Sequence, residues 1–252
     1  SAHALRPSLT PLPRPPHSCA MSAEAEEPQS SAAVGASPPV RETSWSVAGH
    51  EVRVVTGGEP PAVDGVPGAG VASLRISPDL AGMLRWLETD PDALPRGEAL
   101  LVELGAGHGL LGLACAALRP EALLVLTDVA PLLAFGERSL AANDAALAAR
   151  AAVRPLQFGD AAALDAVLQE FRQKAGGGRE GAGEGDGQGE EEGDRPLGRE
   201  VVCVGSGISY WECVYTPLAE TLARVCSAGG RALLGYFKRD WKGERGFWTK
   251  GL

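Results

Sequence analysis

The chain has 252 residues, 44% of them hydrophobic, enough for a sizeable core in one large domain or two small ones. Its formal net charge of −9 comes from 23 Lys and Arg against 32 Asp and Glu. Seven of those acids and one arginine fall between residues 176 and 194, so the remainder is nearly neutral, without the basic stripe of a nucleic-acid binder and without a run approaching the roughly 20 apolar residues of a membrane span.

The amino end, residues 1–42, carries eight of the 19 prolines among Ser, Ala and Glu and has no sustained apolar period, so a disordered arm is expected there. The first residue is Ser1 and the earliest methionine is Met21, which suggests an incomplete gene model or translated upstream sequence. No charged-then-apolar leader is visible. Cys19, Cys115, Cys203, Cys213 and Cys226 are odd in number and lack CxxC spacing, as expected of free thiols in a reducing compartment, cytoplasmic or nuclear.

A folded domain is expected over residues 43–252. Residues 45–55 alternate apolar and polar side chains and read as a strand, broken by Pro and Gly in 57–70. Ser77-Pro78-Asp79 opens a helix in which Leu80, Met83, Leu84 and Leu87 recur at helical spacing. From there strands are predicted at 99–104, 123–127, 153–158, 200–204 and 231–237. Helices are predicted at 110–118, 131–147, 161–173 and 212–226. A Gly-rich acidic insertion at 175–195, expected to be disordered, interrupts the series. Short apolar strands alternating with helices indicate a doubly wound α/β fold, a mostly parallel Rossmann-like sheet covered on both faces. Ligands in such sheets bind beyond the carboxyl ends of the strands.

The loop after the first of these strands reads Glu103-Leu104-Gly105-Ala106-Gly107-His108-Gly109, and its glycines permit a tight turn and close approach of a ligand to backbone at a helix amino end. Glu103 ends that strand, where a carboxylate suits the amino group of a methionine moiety. Asp128 ends the next, where it suits two ribose hydroxyls. Together they outline a site for S-adenosylmethionine (SAM). Gly107 to Gly112 also satisfies G-x-G-x-x-G, but counting from Gly105, the glycine that follows the strand, Leu110 falls where a dinucleotide fingerprint needs its third glycine. Glycines merely turning a strand into a helix account for Gly112, yet not for acids ending both strands. Phe158-Gly159-Asp160 offers an aromatic face and a carboxylate for an adenine, although a phenylalanine at a strand end is commonly core. The four histidines show no metal spacing, no metal is expected, and His108 reads as a solvent-facing spacer. Gly205-Ser206-Gly207 is not a G-x-S-x-G nucleophile elbow.

These residues, with Gly70 to Ser73, Asn143, Gln157 to Asp160, Tyr210-Trp211-Glu212 and the PLAETL stretch, occur in an order that resembles the methyltransferase-like protein-lysine methyltransferase family, a branch of the class I seven-β-strand SAM enzymes. The resemblance runs from about Trp45 to the carboxyl end. It implies cofactor binding through Gly105, Ala106, Gly107, Asp128, Phe158 and Ser206, and it implies a lysine side chain of a protein as methyl acceptor. The family usually has Trp at the positions of Ile76 and Phe158, so the adenine contact is expected to be weaker. Matched by strand position, the family's D-x-x-Y becomes Gly207-Ile208-Ser209-Tyr210, without its acid; a shifted match, Glu212-Cys213-Val214-Tyr215, restores the acid five residues later. Residues 242–248 resemble the family's E-R-x-F helix, and a final strand is expected to be lacking.

Methyl transfer to an already neutral amine asks chiefly for alignment and exclusion of water. Tyr210 and Trp211 could wall a lysine with Glu212 attracting its ammonium, although Trp211 also suits a core position. A monomeric protein-lysine methyltransferase is therefore expected. The alternatives are a catalytically weak SAM-fold protein that binds a partner and a methyltransferase acting on small molecules or nucleic acid.

Overall fold

The computed structural model describes residues 39–64, 69–72, 75–176, 200–209 and 211–236. Most of the expected arm, the acidic insertion from residue 177, Ser73, Tyr210, Phe237 and the 242–248 segment lie outside the described residues.

The alternating stretch near the amino end is two strands, not one: β1 (Arg41–Val47) and β2 (His50–Thr56) pair antiparallel from Arg41↔Thr56 to Val47↔His50. The reversal is Ala48-Gly49, with φ of 48° and 83°, the two left-handed residues a two-residue hairpin turn demands. Ala-Gly is a weak turn signal, so the alternation read straight through it. Strand β1 also takes in Arg41 and Glu42, two residues earlier than the expected boundary. Val47, Val52 and Val54 are buried, which fastens the hairpin to the main core.

A short helix α1 (Ala69–Ala72) precedes α2 (Pro78–Thr89). The latter begins where Ser77 accepts from the Leu80 amide at 3.4 Å, and its buried stripe is Leu80, Met83, Leu84 and Leu87, the predicted set. Then come β3 (Ala99–Leu104), α3 (Leu110–Leu118), β4 (Leu123–Asp128), α4 (Leu133–Ala141), α5 (Ala145–Ala149), β5 (Ala151–Pro155), α6 (Ala161–Gly176), β6 (Glu200–Ser206), α7 (Tyr215–Ser227) and β7 (Arg231–Gly235). The single helix predicted over 131–147 is thus divided. Asp144 accepts from the Leu147 amide at 2.7 Å and caps α5, so Asn143-Asp144 stops one helix and starts the next. The strand predicted at 153–158 lies earlier: it pairs Leu124↔Ala151 through Asp128↔Pro155 and ends at a proline that has no amide to continue the ladder. Phe158 therefore sits in the turn beyond the strand. The helix predicted at 212–226 opens as a 3-10 turn, Glu212–Val214, before α7.

The five strands β3 to β7 form one parallel sheet in the order β5-β4-β3-β6-β7. The chain winds outward from β3 through β4 to β5 and then crosses back to place β6 on the other side of β3. That reversal makes a crevice at the carboxyl ends of β3 and β6. One face carries Leu101, Leu124, Leu126, Val202 and Val204 and is covered by α2, α3 and the hairpin. The other carries Leu100, Val102, Val125, Val201 and Cys203 beneath α6 and α7. Among the described residues, no helix is long and apolar enough to cross a membrane.

Candidate functional site

Beyond β3 the backbone makes a chain of short bonds that leaves little choice of conformation. The Ala106 amide donates to the Thr127 carbonyl at 2.9 Å and the Gly109 amide to the Ala106 carbonyl at 2.7 Å. Gly105 and Gly107 have φ of 61° and 52°, a region costly to residues with a side chain. At Gly105 a Cβ would also stand 2.7 Å from Ile208 Cγ2 and 3.5 Å from Phe158 Cζ. The glycine loop, the Phe158 ring and Ile208 are therefore neighbours at one sheet edge.

Both acids that end strands are buried. Glu103 is 4% exposed and accepts from the Gly112 amide at 2.8 Å. Burial is the main cause that pushes its carboxyl up to about 8; the Gly112 bond opposes the shift and the neighbouring Asp128 adds to it. Asp128 is 8% exposed, and its two oxygens accept from the Gly107 and Val129 amides, each at 2.8 Å. Burial raises it to about 6 against those two bonds. Each carboxylate oxygen accepts more than one bond, so both acids retain capacity for a donor.

Three of the amides in and just ahead of the first turn of α3 are spoken for from within. Gly107 donates to Asp128, Gly112 to Glu103, and Leu110 to His108 Nδ1 at 3.3 Å. A pyrophosphate would need such amides free and would meet two acids. The geometry thus disfavours a dinucleotide for a reason additional to the glycine register. It suits a group that carries positive charge and hydroxyl donors, and the donor set fits SAM: a sulfonium, an ammonium and a ribose.

His108 is not the expected solvent-facing spacer. It is 3% exposed, with Nε2 3.4 Å from the Arg75 carbonyl, and burial lowers its pKa. Its position two residues ahead of a helix's first amide was the available sign of a capping side chain. Ile208 was missed as well. It lies against both Gly105 and Gly205, where added Cβ atoms would come within 2.7 and 2.8 Å of it.

The other predicted residues divide. Ser206 ends β6, half-buried, on the strand that neighbours β3, with Gly207 directly after it at φ 63°. Ile76 is half-buried against the core and adjoins Arg75, the residue bonded to His108. Asp160 is exposed and caps α6, accepting from the Ala163 amide at 2.9 Å. Trp211 and Glu212 lie at the turn after β6, Trp211 half-buried and Glu212 exposed. Tyr215, of the shifted signature, begins α7 and packs on its core.

The sequence model of a family described as lysine methyltransferase matches residues 83–171, from within α2 to within α6. No curated protein matches the chain.

Proposed function

We propose, on the match of the lysine methyltransferase family model to residues 83–171, that the chain is a methyltransferase of that kind, that it binds SAM beyond β3 and β4, and that it delivers the methyl group to a lysine side chain of a protein. One observation carries the reading. Two buried carboxylates, Glu103 and Asp128, end adjacent parallel strands beside a glycine loop, Asp128 already accepting from the Gly107 amide of that loop and Glu103 from the Gly112 amide of α3.

Bound there, SAM supplies an electrophilic methyl on a sulfonium. Asp128 accepts from the ribose hydroxyls while its bonds to Gly107 and Val129 hold the carboxylate in place. Glu103 takes the amino group. The approach of that cation favours the ionised acid, so Glu103 gives up its proton as the ligand enters. Phe158 flanks the adenine, Asp160 accepts from its amino group, Ile76 closes the outer side, and Ala106 and Ser206 contribute small surfaces that allow close approach. On the acceptor side, Glu212 draws in the lysine ammonium, and Tyr210 with Trp211 walls the neutral nitrogen off from water. The proton leaves for solvent before the transfer step.

Calorimetry with SAM and a radiolabelled-methyl assay on cell lysate test the proposal. Saturable binding and label on lysine of a protein are expected; label in an RNase-sensitive or dialysable fraction would move the acceptor to nucleic acid or a small molecule. Gly207 favours one second reading, a SAM-binding protein with weak transfer, because the family's acid is missing at the end of β6. Tight SAM binding without label on any fraction would select it.

A further inference from the structure

The first turn of a helix presents amides that have no partner inside the helix. In α3 the Gly112 amide goes to Glu103, the Leu113 amide to the Gly109 carbonyl and the Leu110 amide to Nδ1 of His108. A ring nitrogen that accepts carries no proton, so the hydrogen of this imidazole is on Nε2. Nε2 faces the Arg75 carbonyl and donates to it. One neutral ring thereby spans two segments 33 residues apart in sequence. The next residue after Arg75 is Ile76, and Ser77 then caps α2.

We propose that His108 is a positioning residue for the cofactor site, tying the Arg75–Ile76 backbone to the glycine loop so that Ile76 is held at the pocket edge. The inference rests on the SAM reading above. Ile76 stands where the family usually has a tryptophan, and an isoleucine covers less surface than an indole. Its placement then depends more on how the backbone beneath it is fixed. Ser77 fastens that segment on its far side through the Leu80 amide; His108 fastens it on the near side. Burial keeps the ring neutral near pH 7, as accepting from Leu110 requires.

A purely structural cap would have the same burial, so the test must separate the two bonds. Asparagine places an oxygen near the position of Nδ1 and keeps the Leu110 bond, but is too short to reach Arg75. Glutamine reaches toward Arg75 with its amide nitrogen. The full chain is compared as wild type, His108→Asn and His108→Gln, by SAM titration, by steady-state kinetics, and by amide hydrogen exchange over residues 75–80 without ligand. His108→Asn is expected to raise the SAM Kd and KM about tenfold with kcat within about twofold, the pattern of lost binding rather than lost chemistry. Its exchange over residues 75–80 should accelerate while α3 stays protected. His108→Gln should restore both the affinity and the protection. Wild-type affinity in His108→Asn, or unchanged exchange over residues 75–80, overturns the proposal, as does an equal loss of α3 protection in both variants. If wild-type protein fails to bind SAM, the cofactor reading falls on its own, and the exchange comparison still decides whether the tie exists.

Discussion

Of the two acids in the site, Glu103 is the one whose chemistry is more altered by its surroundings. In the unfolded chain its carboxyl titrates near 4.5, and in the fold it is pushed up to about 8 by burial. Between those values the folded state holds a proton that the unfolded state has released, so stability falls as pH rises. The slope is at most about 1.4 kcal/mol per pH unit for one group, and it flattens above the folded value. Asp128, raised from 3.8 to about 6, adds a slope of the same sign at lower pH. In ligand-free protein the thermal midpoint should therefore drop from pH 6 to pH 8, and Glu103→Gln, neutral throughout, should hold nearly level across that window. An equal drop in both proteins would remove Glu103 as the cause. Asp160 offers a second test, since it both caps α6 and is assigned to the adenine. Asp160→Ser keeps a capping oxygen for the Ala163 amide and removes the second oxygen. Unchanged stability with a severalfold weaker SAM Kd is expected; unchanged affinity would leave Asp160 a cap alone.

At the scale of elements, two side chains explain where the glycines fall. Leu126 of β4 fills the space under α3: added Cβ atoms at Gly109 and Gly112 would each come within 2.7 Å of it. Ile208 does the same for Gly105 and Gly205. Close packing leaves such pairs no room for a methyl group. The hairpin is held by a different device. The Arg53 amide donates to Asn143 Oδ1 at 3.0 Å, Asn143 Nδ2 donates to the Arg53 carbonyl at 2.7 Å, and the Val55 amide donates to Ser139 Oγ at 2.9 Å. Side chains one turn apart at the end of α4 thus satisfy the free edge of β2, an edge otherwise open to pairing with another chain. Asn143→Ala should cost about 1–2 kcal/mol, the price of stranded backbone groups. Exchange should accelerate in β2 and leave β3 and β4 protected; uniform acceleration would mean that the hairpin and sheet unfold as one unit.

For the whole molecule, the sheet order decides which strand ends share a crevice, and the acids there decide what charge it accepts. SAM at about a hundred times its Kd should stabilise the fold by about 2.7 kcal/mol, read as a rise in thermal midpoint, whereas NAD at the same concentration should produce none. A comparable rise with NAD would contradict the argument from occupied amides.

Local pattern was sufficient for much of this. The alternation of apolar strands with helices, the Ser77 cap, and a glycine loop between Glu103 and Asp128 are readable from neighbours in the chain, because strand period, helix capping and turn geometry are local properties. The hairpin turn at Ala48-Gly49 and the early end of β5 at Pro155 required the fold, since pairing register decided each, whereas the break at Asn143-Asp144 is a local cap that the continuous helix reading passed over. The burial of His108, the shared pocket of Ile208 and the clasp of Asn143 on Arg53 had no local signature at all. They join residues 33 to 103 positions apart, and only packing of the layers brings such partners within bonding distance.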